Sequence, residues 1–267
     1  MMRKVMTSVK NIVKVMNFHS LIRVDKAKRD ALKYFDFEKE LKKTIYKIFN
    51  NRNLKIDKKV NFANEKGVVL NIYIGNDLGF CGNFNSQLHS AIVNDKDSYK
   101  IVIGKKLFNI NDKHILFRIE KEEFYKFYPE IEKMINEMIR NKSVKEINVI
   151  FNYYHSISEI SFEKKKIFPV NIDDVKDEIE GKEYTSDFVI EMDVNKLISS
   201  FLVLYICYYI KIYEFNSLAS ENVMRERVTR ESITKIEEKE EEEKKETRKA
   251  IKQEKFKKQI DNLKKNL

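Results

Sequence analysis

The sequence predicts an α/β protein whose two ends are long helices around a short α/β middle. Three observations predict it. Residues 1–60 repeat apolar positions at helical spacing. Residues 61–192 alternate short apolar runs with helical ones, the pattern of a sheet-and-helix layer. From Asp193 to Leu267 neither Pro nor Gly interrupts the chain, so the stretch reads as one helix. The expected divisions are therefore 1–60, 61–192 and 193–267. Folded back so that its ends pair, such a chain is a shaft with a knob on its side.

Val5, Val9, Ile12 and Met16 follow the 4-3-4 spacing of a coiled-coil seam. Val24, Ala27, Ala31 and Phe35 continue the stripe, and Leu41, Ile45 and Ile48 extend it. Asn50, Asn51 and Asn53 end the helix. About 45 residues at 1.5 Å each give a rod of roughly 70 Å. Residues 67–74 are apolar enough for a central strand, and a glycine-bearing turn follows. A short helix at 86–93, strands at 99–103 and 115–119, a helix at 130–140, a strand at 146–154 and a hairpin partner at 158–169 complete the layer. Residues 171–187 read as an acidic loop and 188–192 as one more short strand. Asp193 is the expected N-cap of the last helix, roughly 110 Å long if unbroken.

Charge is uneven along the chain. Residues 1–60 carry 17 Lys and Arg against 6 Asp and Glu, a net +11. The middle, 61–210, carries 19 against 23, a net −4. A basic helical end suits an acidic partner, protein or nucleic acid. A basic coiled-coil nucleic-acid binder is thus one reading, although no aromatic RNA motif, zinc module or helix-turn-helix is present. The two cysteines, Cys81 and Cys207, fit no metal spacing and read as reduced thiols. No signal-peptide pattern is visible. Residues 197–210, LISSFLVLYICYYI, are fewer than the roughly 20 a membrane span needs, so a buried helix is expected.

The glycine turn at 75–82 lies between a strand and a helix, where a phosphate loop would lie. Its spacing matches neither GxGxxG nor GxxxxGK[ST], so Gly79 and Gly82 read as turn glycines rather than as a nucleotide site. His19, His89, His114 and His155 are scattered without zinc spacing. No catalytic, cofactor-binding or metal-ligating set emerges. Residues 237–249, EEKEEEEKKETRK, hold no apolar residue, so this part of the last helix lacks a seam and is expected to be loose. Phe256, Ile260, Leu263 and Leu267 restore the spacing at the tip.

Four segments, in order, resemble the γ subunit of F1-type rotary ATPases. SVKNIVKVM at 8–16 is similar to the family's SVKNTQKITKAM helix. NDLGFCGNFNS at 76–86 resembles its SDRGLCGGFNS turn, the most specific match. INVIFN at 147–152 with IFP at 167–169 resembles its last strands, and SLASENVMR at 217–225 its ESLASEHAAR helix. The resemblance implies an antiparallel coiled coil of the terminal helices with a small Rossmann-like α/β domain at its base. It implies a non-catalytic central stalk, without a cofactor, inside a hexamer of α- and β-type subunits that hydrolyse ATP. It marks Lys10, Lys14, Ser220, Glu221 and Arg225 as subunit-interface positions. It also implies an epsilon-like or other base subunit, no nucleic-acid partner, and a place at the cytoplasmic face of the cell membrane held only through partners.

The departures from the family are specific. The run TKAMKMVAAAKLRKA becomes MNFHSLIRVDKAKRD at 16–30, with large or charged residues replacing small ones. The seam after Arg225 becomes ERVTRE at 226–231, and the apolar tip becomes DNLKKNL at 261–267. With a Lys- and Asn-rich composition and no Trp, the chain resembles the F1-like ATPase paralogues of mollicutes associated with gliding machinery. A conventional proton-translocating ATP synthase is the alternative.

Overall fold

The computed structural model describes residues 2–49, 63–170, 191 and 193–265. The expected loop at 171–187 and most of the strand at 188–192 lie outside the described residues. Helix α1 spans Met2–Phe49, and the asparagines expected to end it lie outside the described residues. Helix α4 (Val194–Lys265) runs 72 residues. It starts as expected, with Asp193 Oδ1 accepting from the backbone N–H of Asn195 at 2.8 Å and of Lys196 at 3.2 Å.

Between them lies one five-stranded sheet of β1 (Val68–Ile74), β2 (Tyr99–Ile103), β3 (Ile115–Ile119), β4 (Val144–Tyr154) and β5 (Ile160–Phe168). The spatial order is β3-β2-β1-β4-β5, parallel except for the β4–β5 hairpin. Crossover helices α2 (Ser86–Asn94) and α3 (Phe124–Arg140) join the parallel strands. α3 begins six residues before the expected 130, with Pro129 inside it. A proline in the second turn sacrifices one hydrogen bond. Burial offsets that cost, because Phe124 is fully enclosed and packs edge-on against Tyr128.

β1 has apolar residues on both sides because both its faces are covered. Leu70, Ile72, Ile74, Ile101, Val149 and Phe151 meet α3 through Ile131, Ile135 and Ile139, and α4 through Ile198, Leu202, Ile206 and Ile210. Tyr73, Val102 and Ile150 face α2 through Leu88 and Ile92. Each fully buried aliphatic side chain contributes about 1.5–3 kcal/mol relative to exposure. α4 contains a window long and apolar enough to cross a membrane by composition, but 56% of that window is buried. The apolar run at 197–210 is core helix, as expected.

A second polar layer lies on the α2 side. Lys100 is wholly buried, its Nζ 3.0 Å from Asp112 Oδ2 and 3.8 Å from Asp95 Oδ1, and it donates to Ser98 O at 2.9 Å. Asp95 Oδ2 also accepts from Asn71, Tyr73 and Ser98. Burial pushes the Asp95 carboxyl up, but those hydrogen bonds and the Lys100 charge hold it below the usual carboxylate range.

α1 and α4 pair antiparallel, and here the expected seam needs correction. Val9 and Ile12 are 45% and 61% exposed, so they do not face α4. Lys10, Val13, Asn17, Ser20, Val24 and Ala27 turn inward instead, a 3-4-3-4-3 series, and Met16 of the expected seam is half-buried beside them. The reason is on the opposite helix. Near α1's start α4 presents Glu226, Thr229, Glu237 and Glu240, which polar α1 residues satisfy and apolar ones would strand. Lower down, Val24, Ala27, Leu41 and Ile48 are buried as the periodicity predicts. The side chains of Val5, Ala31, Phe35, Ile45 and Leu263, and all of Leu267, lie outside the described residues.

Candidate functional site

The place where shaft meets sheet is built around the turn after β1. Gly82 takes φ +55°, a left-handed conformation that glycine adopts without strain. Phe80 takes φ +63° with a full side chain, 53% exposed. At Gly79 a Cβ would meet nothing within 4 Å. The turn therefore uses Gly79's carbonyl rather than its lack of a side chain. Asp77 pins the turn from below, accepting the backbone N–H of Lys105 at 2.7 Å and of Lys121 at 2.8 Å.

Into this turn α4 presents residues 216–225. Ser217 Oγ donates to Ile74 O at 3.4 Å, and Ser220 Oγ to Asn152 O at 2.8 Å. Asn216 Oδ1 accepts the Tyr154 N–H at 2.6 Å, and Asn152 Nδ2 donates to Phe84 O at 2.8 Å. Glu221 is held by two cations, Lys121 at 3.0 Å and Arg225 at 2.6 Å. Arg225 also donates from Nε to Gly79 O at 3.2 Å, and its Nη2 lies 3.6 Å from Cys81 Sγ. Every one of these α4 side chains bonds within its own chain.

The expected interface positions are redistributed accordingly. Ser220, Glu221 and Arg225 are at most 4% exposed and hold the turn and the strand ends. Small Ser217, Ala219 and Ser220 let the helix approach the sheet, which is why the SLASE run lies here. Lys10 is also turned inward, 16% exposed, with Glu240 at 2.7 Å and Glu237 at 3.3 Å. Its ammonium is held above its usual range first by the Glu240 hydrogen bond. The charged run at 237–249 is thus tied to α1 at its start, not loose throughout. Lys14 remains 53% exposed, 3.9 Å from Glu237.

In open parallel sheets a ligand binds in the crevice at the carboxyl ends of the strands, where strand order reverses. Here that crevice lies between β1 and β4, and Ser217 and Ser220 of α4 fill it. The glycine turn closes on a helix of its own chain, which removes the nucleotide-loop reading. Sequence reasoning also missed Asn17, whose Nδ2 donates to Glu226 O and to Thr229 Oγ1, each at 3.0 Å. A polar residue at a seam position fixes register, and only its place in the 3-4 series could have flagged it.

An antiparallel two-helix shaft, gripped at its base by a Rossmann-like layer whose ligand crevice it fills, defines a stalk-type structural subunit. The comparisons with known proteins agree. A protein-family profile described as ATP synthase matches residues 3–260. The ATP synthase gamma chain of Mycoplasma mycoides is 25% identical over 219 residues, 74% of this chain and 73% of that one. The gamma chain of Clostridium novyi is 27% identical over 240 residues, 83% and 80% of the two chains. A chain from the central stalk and c-ring of Tetrahymena thermophila mitochondrial ATP synthase superposes with a TM-score of 0.61 at 14% identity, covering 83% of this chain and 99% of that one. This chain belongs to the ATP synthase family, as a divergent gamma-type central-stalk subunit, the rotor shaft of an F1-type ATPase.

Proposed function

We propose that this shaft turns, without catalytic groups of its own, inside a hexamer of α- and β-type subunits whose β-type members hydrolyse ATP. The observation that carries the reading is the outer face of α1. Val9, Ile12, Val15, Phe18, Leu21 and Ile22 are all at least 41% exposed, and exposed Lys14, Arg23 and Lys26 lie among them. So long an apolar row on one side of a rod marks a contact surface. Its basic flank suits acidic loops on the surrounding subunits. Because α4 does not share this pattern, the shaft differs from side to side, and an asymmetric rod can transmit torque.

An epsilon-like or other base subunit grips the α/β layer, and the assembly stands at the cytoplasmic face of the membrane through its partners. The large residues at 16–30 and the polar tip favour a specialised F1-like motor of the kind linked to gliding over a conventional proton-translocating synthase. The test is purification of the native complex through a tag on this chain. We expect one copy with two larger ATPase-type subunits, and loss of those subunits when Ile12, Phe18 and Ile22 are changed together to Ser. Recovery of a free monomer or homodimer would overturn the reading, and a proton-carrying ring among the subunits would favour the conventional synthase.

A further inference from the structure

Asp95 and Asp112, which hold the buried Lys100, also line a cavity of about 360 Å³ between the end of α2 and the loop entering β3. The cavity lies beside the amino ends of β2 and β3, at the opposite end of the sheet from the glycine turn. Ile92, Val93 and Ile110 give it an apolar wall, and Val93 is 51% exposed there. His114 forms a second wall, held edge-on to Tyr99 with centroids 6.0 Å apart and with Nδ1 3.4 Å from Asp112 Oδ1. The lining carboxylates are already engaged. Asp95 accepts from Asn71, Tyr73 and Ser98. Asp112 accepts from Lys100 at 3.0 Å and from the His114 backbone N–H at 2.8 Å. The Asp95 N–H caps the end of α2 at Ala91 O, 3.1 Å away. Two lining cations have no such engagement. Among the described residues the side chains of Lys96 and Lys113 make no hydrogen bond or ion pair. With Lys100, three lysines meet two aspartates here, so positive charge is in excess.

We propose that this cavity binds a small organic phosphate ester, its apolar body against Ile92, Val93 and Ile110 and its phosphate between Lys96 and Lys113. An apolar wall with a few polar groups at one side is the ordinary make-up of a small-molecule site. A phosphate ester carries about −1.5 to −2 charge at pH 7 and three acceptor oxygens, enough to engage both ammonium groups at once. A carboxylate brings a single charge, and inorganic phosphate leaves the apolar wall unused. The buried Lys100 cross-link gives the site a fixed floor, so little ordering is needed on binding. A bound ester joins the loop after α2 to the loop before β3, and it stabilises the α/β layer by mass action.

The test uses the full chain at low salt, with phenyl phosphate as the probe and inorganic phosphate and benzoate as controls. Calorimetric titration should show saturable binding of phenyl phosphate with a Kd of about 1 mM or tighter, at least ~5-fold tighter than either control. Changing Lys96 and Lys113 together to Ala should weaken that binding about tenfold while leaving the Tm of the free chain unchanged, because both side chains are exposed and unpaired. Val93→Ser should bring phenyl phosphate down to the affinity of inorganic phosphate. No saturation by about 10 mM, or equal affinity in the lysine variant, would overturn the proposal. So would inorganic phosphate or benzoate binding as tightly as phenyl phosphate. The comparison of the three probes needs no variant to fold, and no arm depends on the motor reading.

Discussion

Two stretches of α4 lie on one helix in opposite surroundings. Between 198 and 229 most side chains are buried against the sheet, α1 or α3, and even Glu221, Asn222, Arg225 and Glu226 are enclosed. Between 241 and 260 every residue is exposed. The upper half of the helix rests on its own propensity and on local pairs such as Glu254–Lys258 at 2.8 Å. Exposed pairs of this kind contribute at most ~1 kcal/mol each. The lower half is fixed by its own chain, whereas the upper half is exposed along its whole length.

That contrast can be broken most forcefully at Arg225. Replacing it with Ala strands Glu221 with half its compensation, and removing one partner of a buried pair costs about 3–5 kcal/mol. Urea unfolding of Arg225→Ala should show that loss, and a loss under ~1 kcal/mol would mean that the grip is not electrostatic. Asn17→Ala should cost about 1 kcal/mol by removing the hydrogen bonds that Asn17 donates to Glu226 O and Thr229 Oγ1. Spin labels on the exposed faces of α1 and α4 should then report a broadened register. An unchanged distance distribution would assign the register to the apolar contacts lower down.

The sheet supplies a gentler test, by pH. Asp95 and Asp112 are both held below the ordinary carboxylate range. For Asp112 the His114 backbone hydrogen bond is the leading cause. A depressed carboxylate contributes stability that is present above the unfolded value and lost as pH falls through the folded one. Acid below about pH 4 should therefore loosen the α/β layer in tryptic digests before it changes the helical signal at 241–260. Simultaneous loss of both would make the two regions one cooperative unit.

The sequence was legible where one rule acted alone. β2 and β3 fall on the expected residues because their apolar runs are short and bounded by turn residues. The start of α3 was hidden because tertiary burial of Phe124 overrides Pro129. The upper seam of α1 was misread because two apolar faces share the helix, and periodicity cannot say which one meets α4. Lys100 sits in an apolar strand with partners 5 and 12 residues away on separate loops, a pairing that no local pattern reveals. Ser220, Glu221 and Arg225 were recognised by their motif, but only the fold shows that they grip their own chain.

Hydrogen exchange along α4, in the isolated chain and in the native complex, separates the two stretches. Amides at 198–229 should be protected in both, while those at 241–260 should exchange rapidly in isolation and slowly inside the complex. Strong protection of 241–260 in the isolated chain, or no change there on assembly, would contradict that separation.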